Sequence, residues 1–141
     1  WARAQFAVAR RRDPANALLM VQEEESFMEI GRNGEAHSVA VRVATLHPEF
    51  GKPFADLGYI ALLEGRNQDA SDTLLLATAK EFHADEATRA DVWGNLSAAY
   101  LNLRRYGDAL EAAERTLALD PNHRGAILNR QAALRGLGRA P

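Results

Sequence analysis

The 141 residues contain no cysteine, which rules out disulfides, thiolate nucleophiles and cysteine-ligated metals. Without cysteine the redox compartment stays open; the cytoplasm is favoured, with the periplasm as the alternative. No apolar run approaches the roughly 18 residues needed to cross a bilayer, so membrane insertion is not expected. Neither charge dominates: the formal net charge is −2, so nothing draws the whole surface to nucleic acid. No stretch of alternating Val, Ile and Thr suggests a sheet. No signal-peptide pattern opens the chain and its first residue is Trp1 rather than Met, so a fragment of a longer protein is expected. Length alone predicts one domain.

What is abundant is Ala, Leu, Arg and Glu, all good helix formers. The clearest pattern is in Ala90–His123. Trp93, Leu96, Ala99, Tyr100 and Leu103 recur at helical spacing and predict an amphipathic helix over about Asp91–Leu103. Ala109, Leu110, Ala113, Leu117 and Leu119 do nearly the same over Gly107–Leu119. Arg104–Gly107 is short enough only for the turn of an antiparallel hairpin. Asp120-Pro121-Asn122 should stop the second helix, because the residue before a proline is pushed out of helical conformation.

This stretch resembles a tetratricopeptide repeat (TPR). The residues that carry the resemblance are Trp93, Leu96-Ser97, Tyr100, Ala109, Ala113, Thr116 and Pro121. Ser97 stands for the usual Gly, Ala113 for an aromatic and Thr116 for Ala, each small where two helices approach. The resemblance implies a period near 34 residues, and the chain supplies it. Phe54 precedes Trp93 by 93 − 54 = 39 residues, and Met20 precedes Phe54 by 54 − 20 = 34. Around Phe54 lie Leu57-Gly58, Ala61, Ala70, Leu74 and Ala77; around Met20 lie Phe27, Gly31, Ala36, Ala40, Val43 and Pro48.

The expected organisation is therefore a single all-α superhelical solenoid over 1–141. It comprises the second helix of a partial repeat (1–14), repeats at 17–50, 51–89 and 90–123, and the first helix of a partial repeat (124–138), with Gly138 as its stop. Segment 81–89 holds the five extra residues and reads either as an extended second helix or as a longer loop. Glu23 and Glu24 depart from the pattern, since they stand where the family has a buried Leu and a small residue. They require cationic partners or a different local packing.

The resemblance implies a non-catalytic protein–protein interaction scaffold whose first helices line a concave groove for a partner peptide or helix. The residues placed on that groove are Val21, Glu25 and Met28; Ala55, Asp56, Tyr59 and Leu62; Asn95, Ala98 and Asn102; and Leu128, Asn129 and Ala132. Such a groove is acidic at its start, apolar in its middle and amide-bearing at its end. Asn95 and Asn129 share a register and can offer a peptide backbone both donors and acceptors. The opposing reading is a solvated helix face. Repeats that clamp a chaperone's C-terminal carboxylate carry Lys and Arg where this chain has Val21, Glu25 and Asp91, or Ala55, Tyr59 and Gly125, so no clamp is expected. Alternative readings are a targeting or spacer segment of a larger enzyme, such as a glycosyl- or sulfotransferase, and end-to-end self-association through the uncovered faces of the Phe6 helix and the Ile127/Leu134 helix.

Sharper chemistry finds little support. His37, His47, His83 and His123 lie in different repeats without a second ligand at helical spacing, so no metal is expected. Glu23–Glu25 with Glu29 reads as a charged face rather than acid–base machinery. Arg10–Arg12 reads as cations at a helix C-terminus, with one pairing to Glu23 or Glu24. No phosphate loop and no nucleophile elbow is present, so neither a cofactor nor catalysis is expected.

Overall fold

A computed structural model describes residues 17–80 and 86–140, apart from the side chains of 17–19 and 21. Segment 1–14 and Arg10–Arg12 lie outside the described residues, as do His83 and the side chain of Val21.

Seven helices follow one another: α1 (Ala17–Glu29), α2 (Asn33–Leu46), α3 (Gly51–Leu63), α4 (Asn67–Thr78), α5 (Glu86–Asn102), α6 (Tyr106–Leu119) and α7 (Arg124–Gly136). They pair as hairpins, α1 with α2, α3 with α4 and α5 with α6, and α7 packs on both α5 and α6. Successive hairpins touch through α2–α3 and α4–α5, while α5 also touches α3. This is a one-dimensional stack in which each hairpin buries apolar surface only by meeting its neighbours.

Each first helix ends in the same way. A residue with left-handed φ follows it, at Gly31 (74°), Gly65 (76°), Arg104 (58°) and Gly138 (72°). The next amide then bonds back across the last turn: Arg32 N to Phe27 O, Arg66 N to Ala61 O, Arg105 N to Tyr100 O and Arg139 N to Leu134 O, at 2.8–2.9 Å. That arrangement satisfies carbonyls a helix end leaves unpaired, and glycine suits it because it has no Cβ. Gly138 is therefore the stop its sequence predicts. Second helices begin with a shared ion pair as well. Arg32 meets Glu35, Arg66 meets Asp69 and Arg105 meets Asp108, each three residues on. These pairs are half-exposed and worth only a few tenths of a kcal/mol up to about 1 each, so they mark register more than they stabilise.

Within a hairpin, small residues allow close approach. A Cβ on Gly58 would lie 2.5 Å from Leu74, so α3 and α4 meet where only hydrogen fits. Ser97 takes the corresponding place in the third repeat, and its buried hydroxyl donates to Ala109 O at 2.9 Å. Thr116, also buried, donates to Ala112 O at 3.0 Å. The aromatic that opens each of these repeats is covered by a cation from its own hairpin or just beyond: Lys80 lies 4.5 Å from the Phe54 ring and Arg115 lies 4.8 Å from Trp93.

Among the described residues the apolar core divides in two. A large cluster runs from Ala55 through Leu74, Leu96 and Tyr100 to Ala133. A small one joins Met20, Val39 and Val43, with Phe27 against it.

The extra residues of the middle period are partly resolved. Neither an extended second helix nor a loop accounts for 86–89: Glu86–Arg89 form the first turn of α5, while α4 already stops at Thr78. Residues 81–85 lie outside the described ones.

Candidate functional site

The first helices α1, α3, α5 and α7 carry the residues that sequence register assigns to one face. Glu25 and Asn102 are exposed; Met28, Leu62, Asn95, Ala98, Asn129 and Ala132 are half-buried. Tyr59 and Leu128 are large and open to solvent, at 37% and 61%. Two members do not fit an open face. Ala55 is buried in the main core cluster, and Asp56 is 6% exposed.

Asp56 is buried because its charge is matched. Lys52, one turn earlier on α3, places Nζ 2.7 and 3.0 Å from the two carboxylate oxygens. Burial works against the Lys52 charge, but the Asp56 carboxylate outweighs it and holds the ammonium above its ordinary range. The same Nζ lies 3.6 Å from Glu25 of α1. The start of the face is thus not simply acidic: one ammonium sits among three carboxyls.

The third carboxyl is Glu24, fully buried with neither oxygen bonded to a described residue. Burial first, and the nearby Asp56 charge second, push it from 4.5 up to about 10. It is therefore a neutral acid at pH 7. The sequence expectation of a cationic partner is met only at a distance, because Lys52 acts on Glu24 but hydrogen-bonds Asp56. Glu23 is buried too, and the suggested pairing with Arg10–Arg12 falls outside the described residues.

At the other end the amides are partly engaged. Asn129 Nδ2 donates to Gly94 O at 3.5 Å, a long bond, and Asn102 donates to Asn67 at 3.0 Å. Asn95 makes no hydrogen bond with its side chain among the described residues, so its donor and acceptor are both available.

His123 does more than a surface histidine. Its Nδ1 accepts from Ala126 N at 3.1 Å, capping α7, and its Nε2 lies 2.8 Å from Asp91 Oδ1 on α5. These two bonds fix the neutral tautomer with hydrogen on Nε2. A Cβ on Gly94 or on Gly125 would meet the ring at 3.3 Å, so both glycines leave room for it. Sequence reading placed His123 at a helix end but gave no signal for the reach to Asp91, which depends on how α7 docks.

The repeat of turn, cap and ion pair along the stack now stands beside the comparisons. The family model described as Tetratricopeptide repeat matches residues 90–123. Those residues are a tetratricopeptide repeat. The fold as a whole is a TPR solenoid, since solved TPR structures superpose on nearly all of it. MamA matches with a TM-score of 0.81 at 22% identity, covering 96% of this chain and 72% of that one. YrrB, described as a TPR protein with an unusual peptide-binding site, matches with a TM-score of 0.84 at 15% identity, over 94% and 66%. The first TPR domain of Spaghetti (RPAP3), bound to the HSP90 peptide SRMEEVD, matches with a TM-score of 0.76 at 18% identity, over 86% and 93%. No curated protein sequence matches the chain. Among the described residues of this TPR stack, no group of His, Asp and Glu is placed to hold a metal ion, and no helix is long and apolar enough to cross a membrane.

Proposed function

We propose that this chain is a non-catalytic scaffold that takes an extended peptide or a helix of another protein along its concave face. The observation that carries the reading is the half-buried amide of Asn95. It makes no internal hydrogen bond and lies one period from Asn129 (129 − 95 = 34), with the exposed Leu128 alongside. An amide pair at this spacing offers a backbone both donors and acceptors, and the exposed apolar side chains offer burial. Two TPR neighbours described with peptides support the class of ligand. The partner differs in chemistry from an acidic chaperone tail, because Glu25 and Asp91 stand where a carboxylate clamp needs cations.

The test is affinity capture with the native chain against Asn95→Arg combined with Asn129→Arg, circular dichroism confirming the fold. Loss of a captured protein supports the groove. Identical partners for both proteins would move binding elsewhere.

Self-association through α7 is the second reading. Ile127, Leu128 and Leu137 are exposed. Leu134, expected on that uncovered face, is instead 5% exposed and packs inward. Light scattering at high concentration that finds only monomer would refute it. The groups expected at the other end, around Phe6, lie outside the described residues.

A further inference from the structure

The seam between α1 and α3 places three carboxyls around one ammonium. Lys52 is spent on Asp56, with a longer contact to Glu25. Behind them Glu24 is fully buried and lacks any hydrogen bond to a described residue. The charges that act on it are Asp56 and Lys52 of α3 and Glu25 of its own helix. A buried carboxyl without a partner either keeps a proton or waits for a positive charge. In front of it the side chain of Glu25 is about half exposed, at 47%. Tyr59 is exposed in the same register one repeat later (59 − 25 = 34).

We propose that this seam receives a Lys or Arg side chain of the partner segment, seated between the Glu25 carboxylate and the Tyr59 ring, with Asp56 and Glu24 supplying negative charge from beneath. The proposal rests on the concave face being a peptide groove. Charge chooses the occupant. An acidic or C-terminal carboxylate ligand would be repelled by Glu25 and Asp56. A bare metal ion would have to sit against the Lys52 ammonium, and the carboxylates form no group able to hold one. An alkyl-ammonium or guanidinium comes from the solvent side, keeps part of its hydration, and can lay its stem or plane on the tyrosine. As it seats, it takes over the role of the Glu24 proton: Glu24 ionises, its proton leaves to buffer, and the new cation balances the charge.

The probe is N-acetyl-arginine amide, compared with the neutral isostere N-acetyl-citrulline amide, followed by carboxyl carbon NMR at pH 7. The arginine amide should shift the Glu24 carboxyl resonance toward the ionised position and perturb Tyr59, and the citrulline amide should do neither. Glu25→Gln, an exposed and isosteric change, should weaken the arginine response about five-fold. An equal response to both amides, no response at tens of millimolar, or full retention in Glu25→Gln would each overturn the proposal. The groove reading fails separately, when captured partners are the same for the native chain and the Asn95→Arg, Asn129→Arg variant.

Discussion

His123 reaches from the start of α7 back to Asp91 of α5, Nε2 to Oδ1 at 2.8 Å, while its other ring nitrogen caps its own helix. One side chain thus fixes both the beginning of a helix and its seat on the previous repeat. Replacing it with alanine removes a cap worth about 1 kcal/mol and the bond across the repeats. His123→Ala should lower stability by roughly 1–2 kcal/mol in urea unfolding. Asp91→Asn, at an exposed end of the pair, should cost less than half of that. Equal losses would mean that the ion pair, not the cap, dominates.

Glu24→Gln should stabilise the protein, and more so as pH rises. In the native chain Glu24 stays protonated up to about 10, whereas the unfolded chain releases that proton above its ordinary 4.5. Folding must therefore take up a proton across that window, and native stability falls with pH by up to about 1.4 kcal/mol per unit. Glutamine does not titrate. The gap between variant and native protein should widen by roughly 2–3 kcal/mol from pH 5 to pH 7 and close below pH 4. A gap that is flat with pH would show that Glu24 is ionised in the fold.

Arg104→Gly should also stabilise. Arg104 is the one non-glycine among the described residues with positive φ, at the place where the other repeats have Gly31, Gly65 and Gly138. Relief of the left-handed backbone outweighs the added freedom of the unfolded chain by about 0.5–1 kcal/mol. A rise in Tm of a few degrees is the expected readout.

Gly58→Ala should destabilise by about 1–3 kcal/mol, because the new methyl meets Leu74 at 2.5 Å. Adding Leu74→Ala should recover part of the loss in a double-mutant cycle. Full additivity would show that the two sites do not touch.

The fold was legible because each repeat writes its core as aromatic, small and aliphatic residues at fixed spacing; Phe54, Gly58, Leu74 and Ala77 sit where periodicity puts them. The shared pair of Arg with Glu or Asp three residues on was equally visible, at Arg32, Arg66 and Arg105, and was missed because short ion pairs carry little weight in a pattern of apolar residues. The candidate face was less legible. Register alone marks Asp56 as open, but its burial depends on Lys52 one turn earlier and on α1 closing over both. Glu24 was recognisable as an anomaly, yet its neutrality depends on being near Asp56, a contact between repeats that no local pattern encodes.

The divided core has a mechanical consequence. Between the small cluster at Met20, Val39 and Val43 and the large one lies a seam carrying carboxyls rather than interlocked leucines. In a stack whose cohesion is a chain of neighbour interfaces, load concentrates at the weakest joint. Pulled along its length, the molecule should part there first, peeling away α1 and α2 as a unit while α3 to α7 still hold.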